Sequence, residues 1–196
     1  MKMRLPSAYH KEILAHAQEG RPNEICGLIA GKEGRAVKLW RTTNNDSNPR
    51  VRYNVEPLEL LNILREIEAN GWNLAAIYHS HPATDAYPSA TDIGLAYYPQ
   101  TVYIIVSLAR EEEPVMRAFR IVDGQVVEDP LEVEEDSDAW TPAIAAGGEA
   151  VTSPPQGNQR RQDSPRRPGI VTVVLKWIMH RTADPNSETQ QGEGAK

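Results

Sequence analysis

Residues 79–92 read HSHPATDAYPSATD. Two histidines stand one residue apart, and a serine and an aspartate close the same fourteen-residue stretch. The residues leading into it, WNLAAIYHSH (72–81), are apolar along most of their length. That is the pattern of a central strand buried on both faces. Strand side chains alternate, so His79 and His81 share one face and Ser80 points away. Backbone geometry alone then sets two imidazoles side by side. Pro82 stops the strand, PATDAYP reads as a loop, and SATDIGLAYY opens a short helix. Zinc takes N, S or O donors at about 2.0–2.3 Å, and a catalytic site keeps three protein ligands and an open position. Asp92 is the candidate third donor, in a first helical turn where the dipole favours a carboxylate. A plainer reading stands beside this one. Ser89 to Asp92 is by itself a capping box, and His-x-His pairs occur by chance. Asp85 is read as a turn residue, and the metal reading rests on the coincidence of the other pieces.

The elements on either side read as compact α/β. Ser7 caps a helix running to about Glu19, with Ile13, Leu14 and Ala17 on one face and Gly20 as its stop. EICGLIAG (24–31) is a strand, KEG turns it into RAVKLWRTT, and NNDSNP is a loop. RVRYNV (50–55) alternates like a strand. Pro57 begins a helix with Leu58, Leu61, Leu64 and Ile67 three apart, ended by Gly71. After the motif, TVYIIVSL is the most apolar strand, REEEP turns it into VMRAFRIV, and DGQVVE adds a last short strand. The expected order is α-β-β-β-α-β-α-β-β-β, a mixed sheet with helices packed on it.

Composition sets bounds. The 196 residues carry a net charge of -6. Residues 1–136 hold 14 Lys/Arg against 21 Asp/Glu, and so acidic a body argues against nucleic acid as a partner. The single cysteine, Cys26, excludes an internal disulfide and a cysteine-rich zinc framework. The opening residues lack the apolar core of a secretory signal, and no apolar run reaches the ~20 residues of a membrane span. The expectation is a cytoplasmic protein. Residues 128–138, EDPLEVEEDSD, read as a solvated acidic run. Residues 137–168, with five prolines, read as a disordered linker. In the remaining tail, 169–196, GIVTVVLKWIMHR (169–181) is an apolar island. It is too short to span a bilayer and suited to docking on its own domain, on a partner or on a membrane surface. The expected catalytic domain is residues 1–136.

Activated water needs a base, and Glu24 stands at the head of the strand EICGLIAG. Its local sequence alone reads as an exposed charge at a strand entry. A Glu there, followed downstream by His-x-His, seven residues, Ser, two residues and Asp, resembles the JAMM (MPN+) metalloprotease motif. In this chain the motif is Glu24, His79, His81, Ser89 and Asp92. The resemblance covers about residues 1–133. It implies a cytidine-deaminase-like α/β fold in which His79, His81 and Asp92 bind one Zn²⁺ per chain. Glu24 would move a proton from the attacking water to the leaving amine, and Ser89 would hydrogen-bond the tetrahedral oxyanion or the water. Cys26 is read as a small buried apolar residue.

The resemblance further implies an amide substrate: the bond after the C-terminal Gly of a ubiquitin-like or sulfur-carrier protein ending in Gly-Gly, joined to lysine or cysteine. Only IGLAYYPQ separates Asp92 from Thr101, which favours the compact prokaryotic type over a deubiquitinase acting on ubiquitin itself. A non-catalytic scaffold of the same fold would lack the ligands that this chain keeps. A base deaminase would need His-x-Glu and Pro-Cys-x-x-Cys, which a chain with one cysteine cannot supply. A DNA-associated relative is disfavoured by the acidic body.

Overall fold

The computed structural model describes residues 2–110, 112–135 and 144–145. A short strand β1 (Arg4–Pro6) leads into helix α1 (Ser7–Glu19). Strands β2 (Cys26–Lys32) and β3 (Arg35–Thr42) form a hairpin. Its turn residues Glu33 and Gly34 both have positive φ, 52° and 78°. That is the primed turn whose twist matches paired strands. Helix α2 (Pro57–Ala69), strand β4 (Asn73–His81), the single-turn helix α3 (Ala90–Gly94) and strand β5 (Val102–Ser107) follow. Strands β6 (Val115–Val122), β7 (Gln125–Glu128), β8 (Glu132–Glu134) and β9 (Ile144–Ala145) complete the described chain.

The sheet runs β7-β6-β5-β4-β2-β3-β1-β8, with β9 on β3. As expected, β4 is central. It lies antiparallel to β2 and parallel to β5, with Cys26 opposite His79 and His79 opposite Ile105. A parallel pair needs a crossover of a dozen residues or more. Here the crossover is the stretch from Pro82 to Thr101 that contains Ser89, α3 and Asp92. The crossover leaves from the strand end that carries the two histidines, and it holds Asp92 within 3.5 Å of both.

The helices cover opposite faces. Tyr9, Ile13 and Ala17 of α1 pack with Ala76, Tyr78, Ile104 and Val106, the even-numbered side of β4 and β5. On the other side, where Cys26, Leu28 and Ala30 align with Thr42, Trp40 and Lys38, Lys38 reaches Glu66 of α2. Tyr78 crosses β2 to place its hydroxyl 3.0 Å from His16 Nδ1 and 3.4 Å from the Trp40 carbonyl. Its ring passes directly over Gly27.

Several expectations are corrected. Ser7 is not a cap: Pro6 holds that position, without a side-chain cap bond, and Ser7 is buried inside the helix. Residues 50–55 form no strand beyond a single bridge at Val55. The Asn44 side chain instead bonds the Arg52 carbonyl and the Asn54 N–H. The buried face of α2 is Leu60, Ile63, Leu64 and Ile67, and Leu58 is 68% exposed. A strict three-residue spacing falls back about 60° per step on a helix of 3.6 residues per turn, so it turns from one face to the opposite one within three steps. The helix expected over 89–98 is only α3. The acidic run is not all solvated tail, because β8 pairs with β1 and Glu134 bridges Arg4 and Arg35. Within the stretch read as linker, Ile144 and Ala145 pair with Leu39 and Trp40. The other residues of 137–168, and all of 169–196, lie outside the described residues. Among the described residues no helix is long and apolar enough to cross a membrane.

A Cβ on residue 27 would stand inside the Tyr78 ring. Gly27→Ala should therefore destabilise by about 1–3 kcal/mol, a fall in Tm on the order of 5–10 °C. Gly94→Ala, which meets nothing within 4 Å, should leave Tm nearly unchanged. Thermal melts of the two variants check this.

Candidate metal centre

The end of β4 buries both histidines, His79 to 1% exposure and His81 to 4%. Sharing a strand face, they bring their Nε2 atoms to 3.0 Å. Asp92 Oδ2 lies 3.5 Å from each. Each imidazole is aimed by a contact on its far side. His81 Nδ1 is 2.8 Å from the Asp85 carbonyl, which holds a proton on Nδ1 and turns Nε2 inward as the atom that would face a metal. His79 stacks on Tyr53, ring centroids 4.5 Å apart and planes 23° from parallel. Asp85 thus works through its backbone, in keeping with its reading as a turn residue.

Asp92 is held by its own helix start. Its Oδ2 accepts from the Ser89 N–H at 2.8 Å, and its N–H donates to Ser89 Oγ at 3.2 Å. The capping box expected from the sequence is present, and it sets the rotamer that points the carboxylate at the histidines. Burial works to raise the Asp92 pKa, but the two imidazoles and the Ser89 bonds outweigh it and hold the carboxyl far below the ordinary range.

The donor set fits a small cation. His79, His81 and Asp92 each offer one ligand atom, all within 4.8 Å of one another. Tetrahedral zinc with bonds near 2.0–2.1 Å places neighbouring donors about 3.3–3.4 Å apart. The spacings of 3.0, 3.5 and 3.5 Å bracket that value. Two ring nitrogens and a carboxylate oxygen converge on one buried point, where a cation bonded to all three would satisfy them together.

Glu24 completes the cluster. Continuing the β2–β4 register two residues past Cys26–His79 places it opposite His81. It is 7% exposed, against its local reading as a surface charge. Burial raises its pKa to about 7, with His81 opposing the rise and the Asp92 and Asp46 carboxylates adding to it. Cys26, on the same face, is buried. Its thiol lies 3.9 and 3.8 Å from the carbonyls of Thr42 and Thr43, and it receives the Thr42 hydroxyl at 3.3 Å. Ser89 is exposed at the lip of the site. The structure thus gathers His79, His81 and Asp92 around one point, brings Glu24 opposite His81 and sets Ser89 against Asp92. Tyr53 was missed because RVRYNV reads as a strand, and Asn44 because NNDSNP reads only as a loop. No spacing rule marks either residue.

A near-neutral carboxylic acid beside a three-donor cation site, at the carboxyl end of a central strand, is the equipment of metal-assisted hydrolysis. The chain belongs to the family described as prokaryotic homologs of the JAB domain, whose model matches residues 6–122, and it is a hydrolase of the JAMM type. It is 40% identical over 125 residues to a CysO-cysteine peptidase of Mycobacterium tuberculosis, covering 63% of this chain and 85% of that one. It is 39% identical over 112 residues to a desampylase of Haloferax volcanii, covering 54% and 81%. A solution structure of a Desulfitobacterium hafniense protein superposes with a TM-score of 0.61 at 34% identity, over 69% of this chain and 95% of that one.

A carboxyl whose pKa is raised by folding adds stability below its unfolded pKa and loses it as pH climbs through the folded value. In metal-free protein, Glu24→Gln should match the parent in stability near pH 4.5. It should gain an advantage on the order of 1–3 kcal/mol by pH 7–8. Denaturant titrations of both proteins across that window measure the difference.

Proposed function

We propose that the chain is a zinc peptidase that hydrolyses the amide following the C-terminal glycine of a ubiquitin-like or sulfur-carrier protein. The observation that carries the reading is the meeting of His79, His81 and Asp92 within a tetrahedral span, with buried Glu24 brought opposite His81. The family supports the hydrolytic class. The relatives named for a CysO–cysteine bond and for desampylation support a protein-conjugate substrate.

Zinc held by His79, His81 and Asp92, one per chain, would supply Lewis acidity toward a carbonyl and toward water. Glu24 would accept the proton of the attacking water and return it to the departing amine. Burial, which raises its pKa in the metal-free protein, favours its taking up that proton, and such general acid–base work is worth about 10²–10⁴-fold. Ser89 uses a lone pair to cap Asp92, so its O–H hydrogen stays available for the developing oxyanion, a donor contributing on the order of 3 kcal/mol. Helix cap and oxyanion donor are thus compatible roles for one hydroxyl. The short return from Asp92 to Thr101 supports the compact prokaryotic kind of enzyme. A scaffold without catalysis would have no use for a cation site and a near-neutral acid buried together.

Purified protein should carry about one zinc per chain by elemental analysis, and His79→Ala or Asp92→Ala should lose most of it. A folded, never-chelated sample without zinc would overturn the assignment. Glu24→Gln should retain zinc and fold while turnover drops about 10²-fold or more. The substrate is tested by mass spectrometry of products from Gly-Gly-ended ubiquitin-like proteins joined to cysteine or to lysine peptides. Release of the intact Gly-Gly terminus is expected, and the faster of the two conjugates defines the leaving group.

A further inference from the structure

Glu24 lies outside the ladder that pairs β2 with β4, whose last pair is Cys26–His79. A general base needs its carboxylate fixed to within a fraction of an ångström. Rotation of the backbone that carries it would swing the carboxylate by more than that. Here the peptide between Glu24 and Ile25 is gripped at both edges by side chains. Its carbonyl accepts from Asn44 Nδ2 at 2.9 Å. Its N–H, that of Ile25, donates to Ser80 Oγ at 3.0 Å. The N–H of Glu24 itself donates to the Pro49 carbonyl at 2.7 Å.

Both grips are anchored. Asn44 uses its whole hydrogen-bonding capacity. Besides Glu24 it donates to the Arg52 carbonyl at 3.0 Å, and its Oδ1 accepts the N–H groups of Asp46 and Asn54, each at 3.0 Å. Ser80 is fully buried and sits between the two histidines on the opposite strand face. Its own N–H donates to the Ile25 carbonyl at 3.1 Å. The strand that presents the imidazoles therefore also holds the base, and Asn44 ties that base to the segment whose Tyr53 stacks on His79.

We infer that Asn44 and Ser80 are positioning residues that clamp the Glu24–Ile25 peptide and so aim the general base. The inference rests on the reading of Glu24 given above. It is tested with Asn44→Ala, Asn44→Asp and Ser80→Ala in the full chain, each made alone and in combination with Glu24→Gln. Asn44→Asp keeps the acceptor bonds to Asp46 and Asn54 while removing both donors, so it severs the clamp even if Asn44→Ala fails to fold. The substrate is whichever Gly-Gly–cysteine or Gly-Gly–lysine conjugate the parent cleaves. Misplacement of a reacting group by about 1 Å costs up to about 10²-fold. The expected result is a fall in kcat of about 10- to 100-fold with KM and zinc content unchanged, and less than about 3-fold further loss when Glu24→Gln is already present. A readout without turnover accompanies it. In metal-free protein, Ser80→Ala should speed amide exchange at Ile25 while Ile29 keeps its protection. Equal losses with and without Glu24→Gln, a change in KM alone, loss of zinc, or unchanged exchange at Ile25 would overturn the clamp alone. Full turnover by Glu24→Gln would overturn the base assignment and the clamp together.

Discussion

The antiparallel register of β2 against β4 is the constraint on which the rest depends. Cys26 opposite His79 fixes which side chains of the two strands share a face. A one-residue slip would send both histidines to the α1 side, where Tyr78 now packs among Tyr9, Ile13 and Ala17. The register is itself enforced by bulk. Tyr78 can cross β2 toward His16 and Trp40 only where β2 offers no side chain, and that position is Gly27. Packing on the apolar face therefore sets the geometry of the polar one.

The parallel partner β5 contributes the second constraint. Because β4 and β5 run the same way, the chain must travel back over the sheet, and the return path carries Ser89 and Asp92. Asp92 is thus carried by this connection and then aimed by the cap. Ser89 and Asp92 exchange two hydrogen bonds, which settle the orphan amides of a helix start and lock a carboxylate rotamer in the same geometry. A helix of only five residues gains little stability from its own propagation. Its order comes from the cap and from the packing around it.

Much of this was legible in the residues because it follows from period and spacing. The period of two placed His79 with His81, the Ser-x-x-Asp spacing gave the cap, and the apolar run from Trp72 to Tyr78 gave the central strand. What failed did so for local reasons. Leu58 was assigned to the buried face of α2 by a spacing of three that a helix does not keep. Residues 50–55 alternate like a strand, yet Asn44 satisfies their backbone from the side, and no composition rule reports a tertiary hydrogen bond. The acidic residues around Glu134 read as solvated because charge runs usually are. Arg4 and Arg35, distant in sequence and adjacent through β1 and β3, make a strand partner of them. Burial of Glu24 was equally hidden, since an acid at a strand entry looks exposed until the β3–α2 segment folds over it.

That burial explains how a carboxyl with ordinary chemistry acquires a useful pKa. Among the described residues, the groups that shift Glu24 include no Lys or Arg. Desolvation raises it, Asp92 and Asp46 raise it further, and only His81 opposes them. Asp92 is also removed from water but is driven the other way by two imidazoles and the Ser89 bonds. Two carboxyls in one cluster are thus separated by their neighbours in the metal-free protein, one held as an anion and one raised toward neutrality. Backbone hydrogen bonds to the Glu24 main chain leave this balance intact, because they fix where the carboxyl stands without donating to it. A donor placed on the carboxylate itself would fix it as firmly and would lower its pKa. The strand end therefore holds Glu24 by the peptide rather than by the side chain.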